Sequence, residues 1–233
     1  MKTAYYALFA AALTLAACSA SPMRQSVDTA RPHLKITVVF NPEMYQSMMF
    51  KKMYPTYAVW VEDQKTGEVK TVYITGKAGK GKWIMADERP SSVPVWYGAA
   101  KGEKKGPSAE IDGITSATPS GKMVTHLWQV PDAMAGKALT VYIEGNVSFD
   151  YNEFYRKDAP AGDPGYSDVN GQPSLVWKAV VQTGLKPVEL KPAIAGHGHV
   201  LGANHGIDPD LSKITTAKEI FKYLEITYIP GAK

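Results

Sequence analysis

The chain has 233 residues, of which 45% are hydrophobic and 21% are charged, and its formal net charge at pH 7 is +4. This length suits one large domain or two small ones. The positive charge is mild and spread along the chain, so it gives no argument for a nucleic-acid partner. The sequence also lacks the Gly-x-Ser-x-Gly, phosphate-loop, Rossmann and His-Glu-x-x-His patterns, which are common signatures of hydrolases, nucleotide-binding proteins and zinc proteases.

The N-terminus has the pattern of a bacterial lipoprotein precursor. Lys2 supplies a positive charge, and residues 4–17 form an uncharged apolar run that is too short to span a membrane. The run ends in Leu-Ala-Ala before Cys18, which resembles a lipobox, and Cys18 is the only cysteine of the chain. We therefore expect residues 1–17 to be a signal peptide and Cys18 to carry the lipid that anchors the protein to a membrane. An ordinary signal peptide followed by an incidental cysteine is the alternative.

The predicted lipid anchor implies a location in the bacterial cell envelope, facing the periplasm. Ser19, and no acidic residue, follows Cys18, which favours the outer membrane in enteric-type bacteria. Residues 18–32 are polar and contain prolines, so we expect them to form a tether between the lipid and the fold. Residues 33–233 are then expected to form a single domain.

Short segments rich in β-branched and aromatic residues predict an all-β fold. In chain order these segments are residues 34–40, 56–63, 68–75, 92–98, 123–130, 138–145, 173–184 and 224–229. The second and third flank the sequence QKTG and form a predicted hairpin. Pro and Gly punctuate nearly every gap, most densely at residues 157–173, which we expect to be a long exposed loop.

One segment near the C-terminus predicts a helix. In residues 215–224, Thr216 and Glu219 have capping-box spacing, and the apolar residues that follow lie close to one helical face. Short strands separated by turns, with this single helix, predict an immunoglobulin-like β-sandwich with one short C-terminal helix.

The sequence DGITSAT, residues 112–118, resembles the flavinylation motif of bacterial extracytoplasmic flavoproteins. That motif is an Asp, two residues, a Ser or Thr, a small residue and then Ala-Thr, and it is matched by Asp112, Thr115, Ser116, Ala117 and Thr118. The resemblance implies that a flavin transferase uses FAD and magnesium to attach FMN to Thr118 through a phosphoester. The alternative is a tight turn in which Asp112 and Thr115 hydrogen-bond to their own backbone.

Three segments in a fixed order extend this resemblance to a family. Residues 54–77, 112–121 and 126–145 look like a predicted periplasmic family catalogued as a domain of unknown function and sometimes mislabelled as a flagellar hook-capping protein. The resemblance covers about residues 34–229. The usual loop of that family has Gly where this chain has Ser116. Membership implies an extracytoplasmic β-sandwich, an electron carrier whose genes accompany those of flavin transferases and PepSY-type membrane redox proteins.

Three histidines within nine residues form a second candidate site. His197, His199 and His205 lie in a Gly-rich stretch, with Asp208 and Asp210 close behind. Imidazole ligands suit zinc or copper, and a carboxylate would supply an oxygen ligand. A Gly-rich loop whose histidines cap backbone groups or meet solvent is the alternative.

The five tryptophans and thirteen tyrosines are many aromatic residues for this length. We expect most of them to fill the sandwich core. A second interpretation is that Trp96, Tyr97 or Trp128, which are nearest the motif in sequence, stack on a flavin ring.

The leading hypothesis from the sequence is a membrane-tethered β-sandwich that carries FMN and transfers electrons. Such a protein is a substrate of a flavin transferase and not itself a classical enzyme. The competing hypothesis is a non-redox binding or scaffolding lipoprotein, and a third is a metal-binding protein that uses the histidines.

Overall fold

Strands are the predominant secondary structure in the computed structural model, which describes residues 27–48, 51–79, 90–101, 114–116 and 122–232. The twelve strands in these ranges are β1 (His33–Phe40), β2 (Gln46–Met48), β3 (Lys51–Met53), β4 (Thr56–Asp63), β5 (Val69–Thr75), β6 (Ile114–Ser116), β7 (Met123–Gln129), β8 (Ala138–Asn146), β9 (Leu175–Gln182), β10 (Val188–Leu190), β11 (Ala193–His197) and β12 (Phe221–Ile229). Two α-helices, α1 (Gly76–Gly79) and α2 (Pro94–Ala100), and 3-10 turns at Pro42–Met44, Pro90–Ser92, Asp132–Met134 and Thr216–Glu219 complete the described elements.

The strands form two large sheets and one small hairpin. The four-stranded sheet has the order β10-β12-β1-β7, and the six-stranded sheet has the order β11-β9-β8-β4-β5-β6. Every pair is antiparallel except β5 with β6. Side chains from both large sheets share one hydrophobic core, so the predicted all-β sandwich is confirmed.

Alternation along the strands explains which residues enter this core. In β1, Leu34, Ile36 and Val38 are completely buried, while Lys35 and Thr37 between them are half-exposed. Successive side chains of a strand point to opposite faces, so one face of β1 packs inward and the other faces outward. The predicted strands at 34–40, 123–130, 138–145, 173–184 and 224–229 and the predicted hairpin are all present.

The outer face of the six-stranded sheet is buried as well. A second hydrophobic cluster joins residues of β4, β5 and β9 to α2 and the residue before it; its members are Ala58, Trp60, Ile74, Val93, Val95, Trp96, Ala100 and Val176. Trp60 also stacks on Tyr142 of β8, with the ring centroids 5.0 Å apart and the planes at 9°. Burial on both faces explains why the middle of β4 is apolar without alternation.

Two local predictions are wrong. Residues 92–98, predicted as a strand, form the end of a 3-10 turn and most of α2, with Pro94 in the first helical turn, where its missing N–H costs nothing. The predicted helix at residues 215–224 is only the 3-10 turn Thr216–Glu219, because the chain then enters β12 and pairs with β1 and β10. The one α-helix of seven residues in the described ranges is therefore α2 and not a C-terminal helix.

The expectation that residues 157–173 form an exposed loop is also wrong for its last third. Ser167, Asn170 and Gln172 are buried. The Gln172 Nε2 atom donates to Asp150 Oδ2 at 2.8 Å, and Asn146 Nδ2 donates to the Gln172 carbonyl oxygen at 2.9 Å. These polar groups are buried because partners in the protein replace their hydrogen bonds to water. In the ranges that the structure describes, no helix has the length and apolarity needed to cross a membrane.

Candidate functional site

Two of the five predicted flavin-binding residues lie in β6, at the edge of the six-stranded sheet. Thr115 and Ser116 pair in parallel with Ile74 and Thr75 of β5. Within the described part of the chain, β6 is the last strand of its sheet and has a strand partner on one side only. Thr115 and Ser116, in the middle of the motif, are therefore held in an extended conformation at a sheet edge.

The rest of the motif lies outside the described residues. The predicted flavin-binding residues concerned are Asp112, Ala117 and Thr118. The predicted lipidation residue Cys18 also lies outside the described ranges. The described chain resumes at Lys122, an exposed residue whose carbonyl oxygen accepts a hydrogen bond from the backbone N–H of Phe40 at 2.9 Å. In the sequence, Ala117 and Thr118 thus belong to the stretch between β6, an edge strand of one sheet, and β7, an edge strand of the other.

A buried group of two tyrosines and a histidine lies between these two edge regions. Tyr57 and Tyr73 stack with their centroids 4.6 Å apart, and the His126 ring lies 4.4 Å from the ring of Tyr73. The Tyr57 hydroxyl is 3.0 Å from His126 Nε2. Burial lowers the pKa of His126 to about 4 and raises the pKa of Tyr57 well above its usual 10, so both groups are neutral at pH 7. Sequence alternation places His126 on the inner face of β7, but it does not show the partners.

The four tryptophans in the described ranges lie in the two hydrophobic clusters, as expected for most aromatic residues. Trp96 is 1% exposed and donates from Nε1 to Thr71 Oγ1 at 3.0 Å, and Trp128 is 6% exposed in the main core. Neither indole has a free face for a flavin, so the stacking hypothesis is wrong for both. Of the three residues considered, only Tyr97 is partly exposed, with its ring 6.2 Å from that of His205.

Each histidine of the predicted metal site has partners in its own loop or in α2. His197 Nδ1 donates to the Gly198 carbonyl oxygen at 2.7 Å, and its Nε2 lies 4.0 Å from a carboxylate oxygen of Asp208. His199 Nδ1 accepts hydrogen bonds from the backbone of Leu201 and Ala203 at 3.1 and 3.3 Å. The described residues contain no group of three or more His, Cys, Asp or Glu side chains arranged to hold a metal ion, and Asp210 joins no such group.

The third histidine docks its loop onto α2. His205 Nδ1 donates to the Pro94 carbonyl oxygen at 2.9 Å, and Lys101 Nζ lies 2.9 Å from its Nε2. A Cβ atom on Gly98 would lie 2.3 Å from the Cβ of His205, so this contact requires glycine in the helix. The arrangement matches the interpretation in which the histidines bond to backbone groups.

A buried carboxylate that the sequence did not indicate holds the same two segments on the sheet. Glu144 of β8 is completely buried and accepts hydrogen bonds from the backbone N–H groups of Val95 and Trp96 at 3.2 and 2.7 Å. The Ser174 hydroxyl donates to it at 2.6 Å, and Gly198 lies against it without room for a side chain. Burial raises the pKa of Glu144 from 4.5 to about 7, although these three hydrogen bonds act in the opposite direction.

The fold and this geometry define the protein as an all-β sandwich with a helix and a histidine loop covering one outer face. Comparison with protein-family models, with curated proteins and with solved structures finds no match. A functional conclusion therefore rests on the residues of this chain.

Proposed function

We propose that the protein is a membrane-anchored extracytoplasmic lipoprotein that carries FMN on Thr118 and transfers electrons. The observation that carries the proposal is the match of residues 112–118 to the flavinylation motif. The lipobox-like sequence before Cys18 supports the required location outside the cytoplasm. The suspected membership in the periplasmic family of unknown function, with flavin transferase and PepSY-type partners, is part of the same proposal.

The described part of the motif fits a segment that another enzyme must reach. Within the described residues, Thr115 and Ser116 pair with β5 alone, and their strand β6 lies at the edge of its sheet and not in the middle. Lys122, at the other end of the stretch, is exposed and brings a positive charge that suits a phosphate group. A buried central strand would have denied a transferase access to its substrate threonine.

The modification transfers the FMN half of FAD to Thr118, with one bond formed and one bond broken at the same phosphorus atom. The Thr118 hydroxyl oxygen attacks the phosphorus of the FMN half of FAD, a phosphoester bond forms, and the pyrophosphate bond to AMP breaks. The hydroxyl proton passes to a base of the transferase, and AMP leaves. When bound, FMN supplies one- and two-electron redox chemistry, and the chain supplies the attachment point and the surroundings.

The test is expression of the full chain in the periplasm together with an active flavin transferase. We expect a covalent mass gain of one FMN less one water, a flavin absorbance spectrum and reversible bleaching on reduction. Thr118→Ala abolishes the gain, whereas Thr66→Ala, which removes an exposed threonine of the turn between β4 and β5, retains it.

An unmodified chain, beside a transferase shown to act on another substrate, would overturn the proposal. The motif would then be a turn, and a non-redox binding or scaffolding lipoprotein would become the leading function. Modification that persists in Thr118→Ala would keep the flavin but assign it to another residue.

A further inference from the structure

The open edge of β7 has its backbone groups directed away from the sheet. Phe40 N–H donates to the Lys122 carbonyl oxygen at 2.9 Å, and Val130 N–H donates to the Pro32 carbonyl oxygen at 3.0 Å. In an antiparallel ladder such hydrogen-bonded positions alternate, so even-numbered residues of this stretch bond towards β1. The N–H and C=O groups of Met123, Thr125 and Leu127 therefore point to the other side, where no described strand pairs with them.

This edge lacks the usual protection against pairing with another strand. Met123 is 63% exposed, Leu127 is 39% exposed, and Thr125 between them is exposed as well. The seven residues of β7 include no Lys, Arg, Asp, Glu or Pro. Natural edge strands that remain unpaired commonly carry a charge, a proline or a bulge that prevents strand addition.

We propose that β7 pairs with β7 of a second copy of this chain, antiparallel and about a two-fold axis at Thr125. In this register Thr125 lies opposite Thr125 of the partner subunit, and Met123 lies opposite Leu127 of the partner subunit. The three outward-facing backbone positions then form about six hydrogen bonds across the axis. The two four-stranded sheets become one continuous eight-stranded sheet.

The neighbouring strands are complementary in the same register. Val39 of β1 lies beside Met123 and also beside Tyr223 of β12, so these three form an apolar row that continues into the partner's Leu127. Thr37 lies beside Thr125, which gives a central row of threonines across the axis. Lys35 lies beside Leu127. The two-fold axis therefore places Lys35 in line with the partner's Met123 and its apolar row, and not in line with a second lysine.

The symmetry favours a second copy over an unrelated extended peptide. The exposed residues Met123, Thr125 and Leu127 of β7 give the order apolar, threonine, apolar in either direction along the strand. Two antiparallel copies centred on Thr125 therefore place matching residues opposite each other. An isologous contact of this kind closes after two subunits and leaves no further β7 edge open.

The test uses disulfide formation in the full chain, expressed with its own N-terminal segment in an oxidising periplasm. Hydrogen-bonded antiparallel pairs have Cα atoms about 5.5 Å apart, within the range that a disulfide spans. We expect Thr125→Cys to form a covalent dimer, seen as a doubled mass on non-reducing gels. The wild-type chain, with Cys18 as its only cysteine, is the background control.

Two further controls define the register. Thr37→Cys, on the next strand and the same outer face, remains monomeric because its distance to its own copy is about 14 Å, three strand spacings. Met123→Cys and Leu127→Cys do not crosslink alone but do crosslink when the two variants are co-expressed. Sedimentation of the wild-type protein in detergent gives the expected dimer without any crosslink.

Three results overturn the proposal. The first is a monomeric Thr125→Cys chain whose thiol reacts with a maleimide. The second is equal crosslinking of Thr125→Cys and Thr37→Cys, since this would indicate random collision. The third is a mixed disulfide of Thr125→Cys with another protein in place of the homodimer.

Discussion

The buried carboxylate of Glu144 predicts a specific pH dependence of stability. Burial raises its pKa from 4.5 to about 7 in the folded protein. A raised folded pKa gives stability that is fully present below the unfolded value of 4.5 and is lost as the pH rises through 7. At 1.36 kcal/mol per pKa unit, the folded state loses about 3 kcal/mol across this window.

Glu144→Gln isolates this contribution. The amide stays neutral at every pH, but its Nε2 cannot accept the N–H bonds that the carboxyl accepts from Val95 or Trp96. At pH 4.5 we therefore expect the variant to be less stable than the wild type by about 1–3 kcal/mol. Between pH 4.5 and pH 8 the wild type loses about 3 kcal/mol of unfolding free energy and the variant does not. The wild-type-minus-variant difference in unfolding free energy therefore falls by about 3 kcal/mol.

The assay is urea unfolding at a series of pH values, followed by tryptophan fluorescence. His126 affects stability in the opposite direction. Its pKa is lowered from 6.5 to about 4 in the folded protein, so the folded protein loses stability as the pH falls from 6.5 to 4. Because His126 faces the core between the sheets and Glu144 faces the outer side, its effect cancels in the difference between wild type and variant. A wild-type-minus-variant difference that stays constant from pH 4.5 to 8 would refute the assignment of a raised pKa to Glu144.

Two other features give predictions of the same kind. Gly171 and Gly67 have φ of +69° and +70°, but a Cβ on Gly171 would lie 2.5 Å from backbone atoms of Asp150, whereas Gly67 has open space. Gly67→Ala should lower the free energy of unfolding by roughly 1–2 kcal/mol, and Gly171→Ala should lower it by roughly 1–3 kcal/mol more than Gly67→Ala does. Equal urea unfolding midpoints of the two variants would contradict this account. The Lys137 ammonium, with backbone N–H groups of the following turn, lowers the pKa of Asp63 to about 2. Asp63 therefore contributes stability that is present above pH 3.8 and is lost as the pH falls through 2. In Asp63→Asn the free energy of unfolding should fall less steeply with pH in this range. An unchanged pH dependence would show that the ion pair of Asp63 with Lys137 is not formed.

The strand predictions succeeded where a segment buries one face at a period of two residues. β1 and β7 carry this signal in their own residues, and the hairpin of β4 and β5 is indicated by two segments rich in β-branched and aromatic residues on either side of a short Gly-containing turn. No distant contact is needed to predict these strands. Residues 92–98 form a helix and not the predicted strand, because a short apolar run with Val, Trp and Tyr suits a strand or a buried helix equally well. At residues 215–224, pairing of β12 with two strands outweighed a local capping pattern.

For the candidate sites, the sequence supplied the motif residues and the histidines, and it left their surroundings undetermined. The sequence allowed a tight turn around Thr115, whereas the structure pairs Thr115 and Ser116 with β5 at a sheet edge. The histidines suggested ligands by their spacing, but hydrogen bonds to backbone groups occupy ring nitrogens of all three.

The all-β class and most of the strands follow from the amino-acid sequence alone, because alternation is a pattern of neighbouring residues. The burial of Glu144, in contrast, does not follow from the sequence pattern of β8. Glu144 lies on the opposite face of the strand from Val141 and Ile143 and would be expected to face solvent. Its burial depends on α2 and the histidine loop, which are distant in sequence and fold over the outer face of the sheet. The open edge of β7 was decided in the same way, since strand order in a sheet is a property of the whole fold and not of any one segment.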